Sequence, residues 1–543
     1  MVQEDYDFGQ RWKTLAVLCL SLVIVVVGNT VLNVALPTLV RELGATSSQL
    51  QWIVDAYALV FAGFLLTAGA LGDRFGRKGA LTAGLVIFGT ASGVSAFATS
   101  AGQLVTLRAI MGVGAALIMP ATLSILTNVF PPHERARAIA IWAGLAGAGA
   151  AFGPIASGFL LEHFWWGSVF LVNLPVVAAA LVAGRRLVPQ SKDTAQPPLD
   201  PVGAVLSIAG LGALLYGIIE GPNHGWTDPL TLAWGLGGIA VLVLFGLWER
   251  RSPHPMLDLG FFRSPAFSSA AGAITLIFFA MFGTFFLFTQ YLQLVLGYGT
   301  LEAGVRMLPM AFTMMVAAPS SARLVERFGS RRVVTIGLTL VAAGLLLLST
   351  VAVDTPYWRL VLNLMVLAGG MGLSMAPSTT GIMASLPLGK AGVGSAVNDT
   401  TRELGGALGV AVLGSLMASR YAAGLGEAVG GLLPQPALEA AKSSLGGALG
   451  VAGTLGGPAG ENLAAAARGA FVDAMSVSMA VSSAVVLFAA FLVSRYYPVF
   501  LAASPPHLGP QPQVPPERGW SEPRGDEPRG PAPRPPVSDS DAA

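Results

Sequence analysis

The stretch Gly69-Ala70-Leu71-Gly72-Asp73-Arg74-Phe75-Gly76-Arg77-Lys78 is a charged turn between two long apolar runs. Four charged residues fall within six positions, and glycines separate them from the flanking apolar residues. Such a cluster of charges is too costly to place in hydrocarbon, so the stretch is predicted to lie at one face of a membrane. We expect a membrane-spanning helix on either side of it, with the glycines permitting a tight bend.

The composition of the whole chain agrees with this interpretation. Of its 543 residues, 54% are hydrophobic and 11% are charged, whereas a soluble domain has about 25% charged residues. A net charge of +2 gives no indication of a nucleic-acid partner. One cysteine, Cys19, excludes an intrachain disulfide and a cysteine-rich metal site. The composition therefore predicts an all-α integral membrane protein that contacts the lipid bilayer, without nucleic acid or metal.

Apolar stretches of roughly 20 residues, the length that spans a bilayer, recur along the chain. Their glycine and alanine residues allow neighbouring helices to approach closely. Fourteen spans are predicted near residues 14–36, 50–70, 79–99, 102–126, 138–160, 167–188, 201–220, 229–248, 267–296, 301–322, 333–353, 357–385, 395–419 and 470–493.

The short loops indicate the orientation, because lysine and arginine favour the cytoplasmic side. Basic residues concentrate in alternate loops, which places those loops and both termini in the cytoplasm. The cytoplasmic set comprises Arg11, Lys13, Arg74, Arg77, Lys78, Arg135, Arg137, Arg185, Arg186, Lys192, Arg250, Arg251, Arg263, Arg323, Arg327, Arg331 and Arg332.

The spans group into domains. We predict a cytoplasmic N-terminus (1–13), an N-terminal six-helix bundle (14–188), two linking transmembrane helices (201–248) and a C-terminal six-helix bundle (267–493). Residues 421–468 are predicted to form a long extracytoplasmic loop within the second bundle, with a short surface helix over 438–442. Residues 500–543 are rich in proline and charge, and predict a disordered cytoplasmic tail.

A faint internal repeat supports two related halves. The charged turn over 73–78 follows the second predicted span, and a similar turn, Glu326-Arg327-Phe328-Gly329-Ser330-Arg331-Arg332, follows the tenth. Parallel repeats of this kind are a transporter architecture.

Three motifs together resemble the fourteen-helix drug:proton antiporter branch of the major facilitator superfamily, the EmrB/QacA-like group. The first is the turn over 69–78. The second is the 104–116 segment, where Arg108 and the run Gly112-Val113-Gly114 are similar to the fourth-helix arginine motif. The third is the 149–158 segment, which is similar to the antiporter signature of the fifth helix. The resemblance covers about residues 12–495 and implies the superfamily fold, with two six-helix bundles and two extra central helices.

The resemblance also implies roles for the first and third motifs. The turn would latch the two halves in one conformation; the alternative is a solvated loop that only fixes topology. Its residues are Gly69, Asp73, Arg74, Gly76 and Arg77. The fifth-helix motif would favour exchange over uptake, with a helix kink at its proline; the alternative is ordinary helix packing. Its residues are Gly149, Gly153, Pro154 and Gly158.

Charged residues inside spans are candidates for function, because each costs about 2.5–3.5 kcal/mol near the bilayer centre. Asp55 in the second span and Arg108 in the fourth lie at similar predicted depth. We expect them to face one another and to bind and release a proton as their separation changes. The alternative is a permanent structural salt bridge.

The thirteenth span contains a second group of charges. Asp399 and Glu403 are four residues apart and share a helix face, and Arg402 reaches Asp399 at a spacing of three. Two acids with one nearby arginine leave one acid partly uncompensated, which suits proton binding or attraction of a cationic substrate. The alternative is an internally neutralised helix.

The first span departs from the family pattern. Many members have an acid shortly before the Asn33-Val34-Ala35-Leu36-Pro37 run, but the preceding residues here are Val27-Gly28-Asn29-Thr30. Asn29 and Asn33 would form a neutral polar face, so coupling would depend more on the acids of the second and thirteenth spans. Further candidates for lining a substrate cavity are Trp52, Tyr57, Gln290 and Gln293; the alternative for the aromatic residues is an interfacial position.

The expected function is transport. The chain has no Walker A sequence, no His-Glu-x-x-His run and no Gly-x-Ser-x-Gly elbow, so neither an enzyme nor a cofactor is expected. We expect a monomeric, proton-driven exporter of small lipophilic drugs, antibiotics or secondary metabolites in a bacterial plasma membrane. The alternatives are a proton-coupled importer on the same scaffold, a non-transporting scaffold and an enzyme.

Overall fold

The computed structural model describes residues 8–191, 200–253, 255, 257–385, 391–429 and 431–497. The predicted tail over 500–543 and residues 1–7 lie outside this part. The helices are α1 (Arg11–Leu43), α2 (Ser47–Phe75), α3 (Arg77–Ser95), α4 (Ala101–Val129), α5 (Pro132–His163), α6 (Ser168–Leu171), α7 (Asn173–Leu187), α8 (Pro201–His224), α9 (Pro229–Arg251), α10 (Pro265–Gln290), α11 (Thr300–Arg306), α12 (Leu308–Phe328), α13 (Ser330–Leu348), α14 (Tyr357–Ala384), α15 (Ala391–Val429), α16 (Gln435–Ser443), α17 (Leu445–Leu455) and α18 (Gly457–Tyr496). Short turns of 3-10 helix lie at Phe8–Gln10 and Leu259–Arg263, and a π-helical turn at Tyr291–Val295 follows α10.

The helices agree with the predicted all-α membrane fold. Within the described residues, eleven helices are long and apolar enough to cross a bilayer, or twelve when the bent helix α2 is counted as one span. Helices α3 and α5 lie at the two other predicted positions. The fourteen-span arrangement is therefore compatible with the structure, although α6–α7 and α11–α12 are each interrupted where one continuous span was predicted.

The predicted loop over 421–468 is instead mostly helical. Helix α15 continues to Val429 and α18 begins at Gly457, so both flanking spans extend into it. Between them, α16 contains the short helix predicted over 438–442, and α17 is apolar and packs on α18. Many alanines, the strongest helix formers, outweigh the glycines that suggested a loop.

The helices form two bundles joined by a hairpin. Helices α1–α7 pack with one another, as do α10, α12–α15 and α18, while α8 and α9 pack as a pair between them in the chain. The bundles meet where α15 packs on α2, where α11 packs on α5 and where α1 packs on α10.

Glycines bring helix backbones into contact inside each bundle. A Cβ atom added to Gly112 of α4 would lie 2.7 Å from the carbonyl oxygen of Tyr57 on α2, and one added to Gly114 would lie 2.8 Å from the nitrogen of Phe88 on α3. In the second bundle, a Cβ atom on Gly283 would lie 2.8 Å from the carbonyl oxygen of Gly409. Small residues thus provide the close packing on which helix association in membranes depends.

The two charged turns of the sequence repeat have the same local structure. Helix α2 ends where the N–H of Gly76 donates to the carbonyl of Gly72 (2.9 Å), and α12 ends where Gly329 donates to Val325 (2.8 Å). Both glycines have positive φ angles, 121° and 79°, which residues with a Cβ atom rarely adopt. The repeat seen in the sequence therefore corresponds to two equivalent helix–glycine–helix turns.

We predict that Gly112→Val destabilises the first bundle, because the new side chain would meet main-chain atoms of α2 that have no room to move. Overpacking of this kind typically costs about 1–3 kcal/mol. The melting temperature of the purified protein in detergent should fall by several degrees. The control is Gly102→Ala on the same helix, where nothing lies within 4 Å of a new Cβ atom. Equal melting temperatures for the two variants would contradict the packing argument.

Candidate functional site

Arg108 is fully buried and is held by main-chain groups of two neighbouring helices. Its Nε atom donates to the carbonyl of Ile53 on α2 (3.0 Å) and its Nη1 atom donates to the carbonyl of Gly28 on α1 (3.2 Å). The guanidinium lies over the ring of Tyr57, 4.3 Å from its centroid. Three helices of the first bundle are therefore joined at one cation, and its Nη2 atom has no hydrogen-bond partner among the described residues.

Asp55 does not pair with Arg108, contrary to the sequence prediction. It is also fully buried, but neither of its carboxylate oxygens has a hydrogen-bond partner in the described part of the chain. The two residues that face Arg108, Ile53 and Tyr57, are one helical turn apart. Asp55 is two residues from each, so it points about 200° away around α2. The prediction was based on the depth of Asp55 in the membrane and did not consider which face of α2 it occupies.

Glu403 of α15 lies near Arg108 of the opposite half of the protein, and the two form no direct ion pair among the described residues. Its carboxylate is within electrostatic range of Arg108 and Tyr57 in the first bundle, and of Asp399 and Arg402 on its own helix. Glu403 is partly exposed, in contrast to the enclosed Arg108. The charges of Glu403 and Arg108 therefore lie on opposite sides of the interface between the halves, where α15 packs on α2.

Asp399 and Arg402 form the contact predicted from their spacing. The Nη1 atom of Arg402 lies 3.8 Å from Oδ1 of Asp399. Asn398 donates to the same oxygen (3.2 Å), and its own Oδ1 accepts a hydrogen bond from Thr379 of α14 (3.1 Å). Arg402 also lies 5.4 Å from the ring centroid of Phe278 on α10. Among the residues that the structure describes, Asp399 thus has partners that Glu403 lacks, which leaves Glu403 the less compensated acid.

Thr379 and Asn398 are members of this site that the sequence did not indicate. Thr379 also accepts a hydrogen bond from Nη2 of Arg402 (3.4 Å), so it joins α14 to both ends of the charged group. Thr379 is a neutral residue on another helix, so no sequence pattern connects it with the charged group. Asn398 could have been found, because it directly precedes Asp399.

The charged turn contacts its own half. The carboxylate of Asp73 pairs with Nε of Arg77 at 2.6 Å, and Arg74 lies 5.5 Å from the ring centroid of Phe75. The backbone N–H of Arg77 donates to the carbonyl of Ser191 (2.9 Å), and Lys78 donates to the carbonyl of Arg185 (2.9 Å). The turn is therefore docked on the end of α7, and its latch role stays a prediction.

The fifth-helix motif lies at the contact between the two halves. A Cβ atom on Gly158 would lie 2.6 Å from the Cα atom of Leu301 and 2.6 Å from the carbonyl oxygen of Thr300, both on α11. In return, a Cβ atom on Gly304 of α11 would lie 2.5 Å from the carbonyl oxygen of Pro154. Gly153 instead faces Thr30 of α1, and Gly149 lies within the same helix. The motif thus lets α5 and α11 meet backbone to backbone.

Hydrogen bonds join the halves at the end of the bundle opposite the charged turn. Ser415 donates to Oε1 of Gln51 (3.0 Å), Gln293 donates to the carbonyl of Val34 (2.9 Å), Thr300 donates to the carbonyl of Gly158 (3.1 Å) and Ser47 donates to the carbonyl of Ser443 (2.8 Å). These bonds connect α1, α2 and α5 to the second bundle. The protein is therefore closed at this end, which we call the closed end.

The other cavity candidates have mixed surroundings. Asn29 and Asn33 are buried on α1, and Oδ1 of Asn33 has no hydrogen-bond partner among the described residues. Tyr57 donates to the carbonyl of Val25 (3.4 Å) beneath Arg108. Gln290 donates within its own helix, to the carbonyl of Phe286 (2.9 Å). Trp52 faces the linking hairpin, where its Nε1 atom donates to Glu220 (3.2 Å).

Comparison with known proteins identifies the scaffold. Residues 18–410 match the family described as the Major Facilitator Superfamily. The chain belongs to the major facilitator superfamily.

Similar proteins of this superfamily match nearly the whole chain. The chain is 38% identical to the multidrug efflux pump LfrA of Mycolicibacterium smegmatis, over 89% of this chain and 96% of the relative. It is 34% identical to the tetracenomycin C resistance and export protein of Streptomyces glaucescens, over 89% and 91% of the two chains. It is 36% identical to the methyl viologen resistance protein SmvA of Salmonella typhimurium, over 89% and 97%.

Solved structures agree on the superfamily fold. A bacterial homologue of the human lysosomal transporter Spinster superposes with a TM-score of 0.64 at 18% identity, over 90% of this chain and 98% of that one. The xylose transporter XylE from E. coli superposes with a TM-score of 0.55 at 14% identity, over 91% and 97%.

We predict that Gly158→Ala loosens the closed end, because the added methyl group would meet main-chain atoms of α11. The readout is a Ser415→Cys reporter in a Cys19→Ser background, labelled in detergent with a water-soluble maleimide. The labelling rate should rise several-fold. The matched control is Gly79→Ala on α3, where a new Cβ atom meets nothing within 4 Å. Unchanged labelling of the reporter in Gly158→Ala would refute the role of this contact.

Proposed function

We propose that the protein is a proton-driven exporter of small lipophilic compounds in a bacterial plasma membrane. The observation on which this rests most is that α15, which contains Asp399, Arg402 and Glu403, packs on α2 of the first bundle, where Arg108 is buried. The relatives support the direction of transport, since they are named for multidrug efflux, tetracenomycin C export and methyl viologen resistance. We further propose a monomer with both termini in the cytoplasm.

The two halves would expose a central cavity to each side of the membrane in turn. In this proposal the closed end faces the outside, because the basic turns lie at the opposite end. At that opposite end, the ion pair of Arg11 with Glu134 stays within the first bundle, and the hydrogen bond from Arg331 to the carbonyl of Tyr497 stays within the second. A substrate would thus enter from the cytoplasm in the conformation described above.

Proton coupling would act through the charge of Glu403. When ionised, Glu403 is attracted to Arg108 and favours the approach of α15 to the first bundle. When protonated, it loses this attraction, and the halves separate more readily. Protonation is thereby linked to the conformational equilibrium through a difference in interaction energy between two states.

Asp55 and Asp399 would have different parts in the cycle. An ionised Asp55 would be buried here without a partner, which is energetically costly, so we assign it a change of surroundings in the other conformation. Asp399, held by Asn398 and Arg402, would keep Arg402 in place beside Glu403. The aromatic ring of Phe278 beside Arg402 offers an apolar wall for a lipophilic substrate.

We predict that cells producing the protein accumulate less of a fluorescent lipophilic cation than cells without it. A protonophore should remove the difference, because export would lose its energy source. Accumulation and growth inhibition would be measured for a panel of structurally different toxic compounds. Higher accumulation in producing cells, abolished by the protonophore, would instead indicate an importer.

We predict that Glu403→Gln and Asp55→Asn each reduce transport driven by an acid gradient at least tenfold in proteoliposomes, without lowering the amount of folded protein. Each change removes a titratable group while retaining its shape. The matched control is Glu461→Gln, an exposed acid on α18, which should transport at the normal rate. If gradient-driven transport persisted in both site variants, neither acid would be required for proton coupling.

A further inference from the structure

The linking helix α8 lies in the seam between the two halves. It packs on α2 of the first bundle and on α15 of the second, besides its partner α9. A buried apolar cluster marks the place where the three helices meet. It consists of Ala58 on α2, Leu215 and Ile219 on α8, and Ala407 and Ala411 on α15.

The contact of α8 with α2 is polar at the closed end. Ser48 of α2 donates to the carbonyl of Ile219 (3.1 Å), and Trp52 of α2 donates to the carboxylate of Glu220 (3.2 Å). Asn223 of α8 donates both to Ser48 (3.0 Å) and to Glu220 (2.7 Å). These directional bonds fix the position of α8 along α2.

The same two helices interlock deeper in the membrane. The ring of Trp52 contacts that of Tyr216, with centroids 6.2 Å apart. A Cβ atom on Gly212 would lie 3.4 Å from Cδ2 of Leu59, and the side chain of Ile208 occupies the space beside Gly63. Contacts between α2 and α8 thus continue from Ser48 to Gly63, about four helical turns.

The contact of α8 with α15 is apolar by comparison. In the seam, α15 contributes the methyl groups of two alanines, with Leu408 packed against the cluster, and none of these apolar side chains can make a hydrogen bond. The one polar bond between these parts, from Trp226 to Ser419 (3.1 Å), lies beyond the end of α8 and is solvent-exposed, where water can replace it. Nothing in the described seam fixes α15 along α8 as Glu220 and Ser48 fix α2.

We propose that α8 moves as part of the first bundle and that α15 slides along it when the halves rock. This inference rests on the alternating motion proposed above. Helix α8 then keeps the seam between α2 and α15 covered in both conformations, so that lipid does not enter it. Glu220 and Trp52 are, in this account, anchors of the linking helix rather than residues that line the substrate cavity.

Cysteine cross-linking tests the proposal, in a transport-competent Cys19→Ser background. One pair, Leu59→Cys with Gly212→Cys, joins α2 to α8. The matched pair, Leu215→Cys with Ala407→Cys, joins α8 to α15 within the same cluster. Each full-length double variant is treated with a reductant-cleavable bifunctional thiol reagent, and each single-cysteine variant is a control. Export of the fluorescent cation is measured before treatment, after treatment and after reduction.

The α2–α8 cross-link is expected to leave the export rate within twofold of the untreated value. The α8–α15 cross-link is expected to lower it at least tenfold, with recovery on reduction. Inhibition by the α2–α8 cross-link, or full export with the α8–α15 cross-link, would overturn the proposal. A background without export would instead count against the proposed function, so the two failures are distinguishable.

Discussion

The burial of Arg108 is the constraint on which the arrangement of the first bundle depends. A buried guanidinium is energetically costly unless hydrogen-bond acceptors are held in fixed positions around it. Main-chain carbonyls of α1 and α2 are these acceptors for Arg108. The three helices have to approach closely for this, which Gly112 permits on the side of α4. The remaining positive charge lies within electrostatic range of Glu403 in the other half. One buried cation therefore links the packing within a bundle to the interaction between bundles.

The glycine-rich fifth helix makes a different use of close packing. Within a bundle, glycines join helices that stay together; at Gly158 and Gly304 they join helices of opposite halves. In the alternating motion proposed above, such a backbone contact would open without any long side chains having to separate. The same reasoning distinguishes the two faces of α8, of which one makes hydrogen bonds to α2 and the other packs on apolar side chains of α15.

Much of this structure could be predicted from the sequence, because hydrophobic length and charged turns depend on local composition. The repeated turns at Gly76 and Gly329, the contact of Asp399 with Arg402 and the helix over 438–442 all follow from spacing of a few residues. The orientation of Asp55 relative to Arg108 depends on how α2 is rotated against α4, which spacing along one helix does not determine. The contact of Trp52 with Glu220 was not predicted for a similar reason, since the two residues are 168 positions apart in the chain. In the 421–468 segment, glycine suggested a loop, but neighbouring alanines and tertiary packing favoured helix.

The way Arg108 is held has a consequence for how such sequences diverge. Its acceptors at positions 28 and 53 are carbonyl groups of the main chain, which every amino acid possesses. Mutation of Ile53 to another residue of similar bulk would leave the acceptor unchanged. Substitutions at position 53 therefore do not affect the hydrogen bond to Arg108. Covariation between positions 53 and 108 is not expected, even though the two residues are in direct contact.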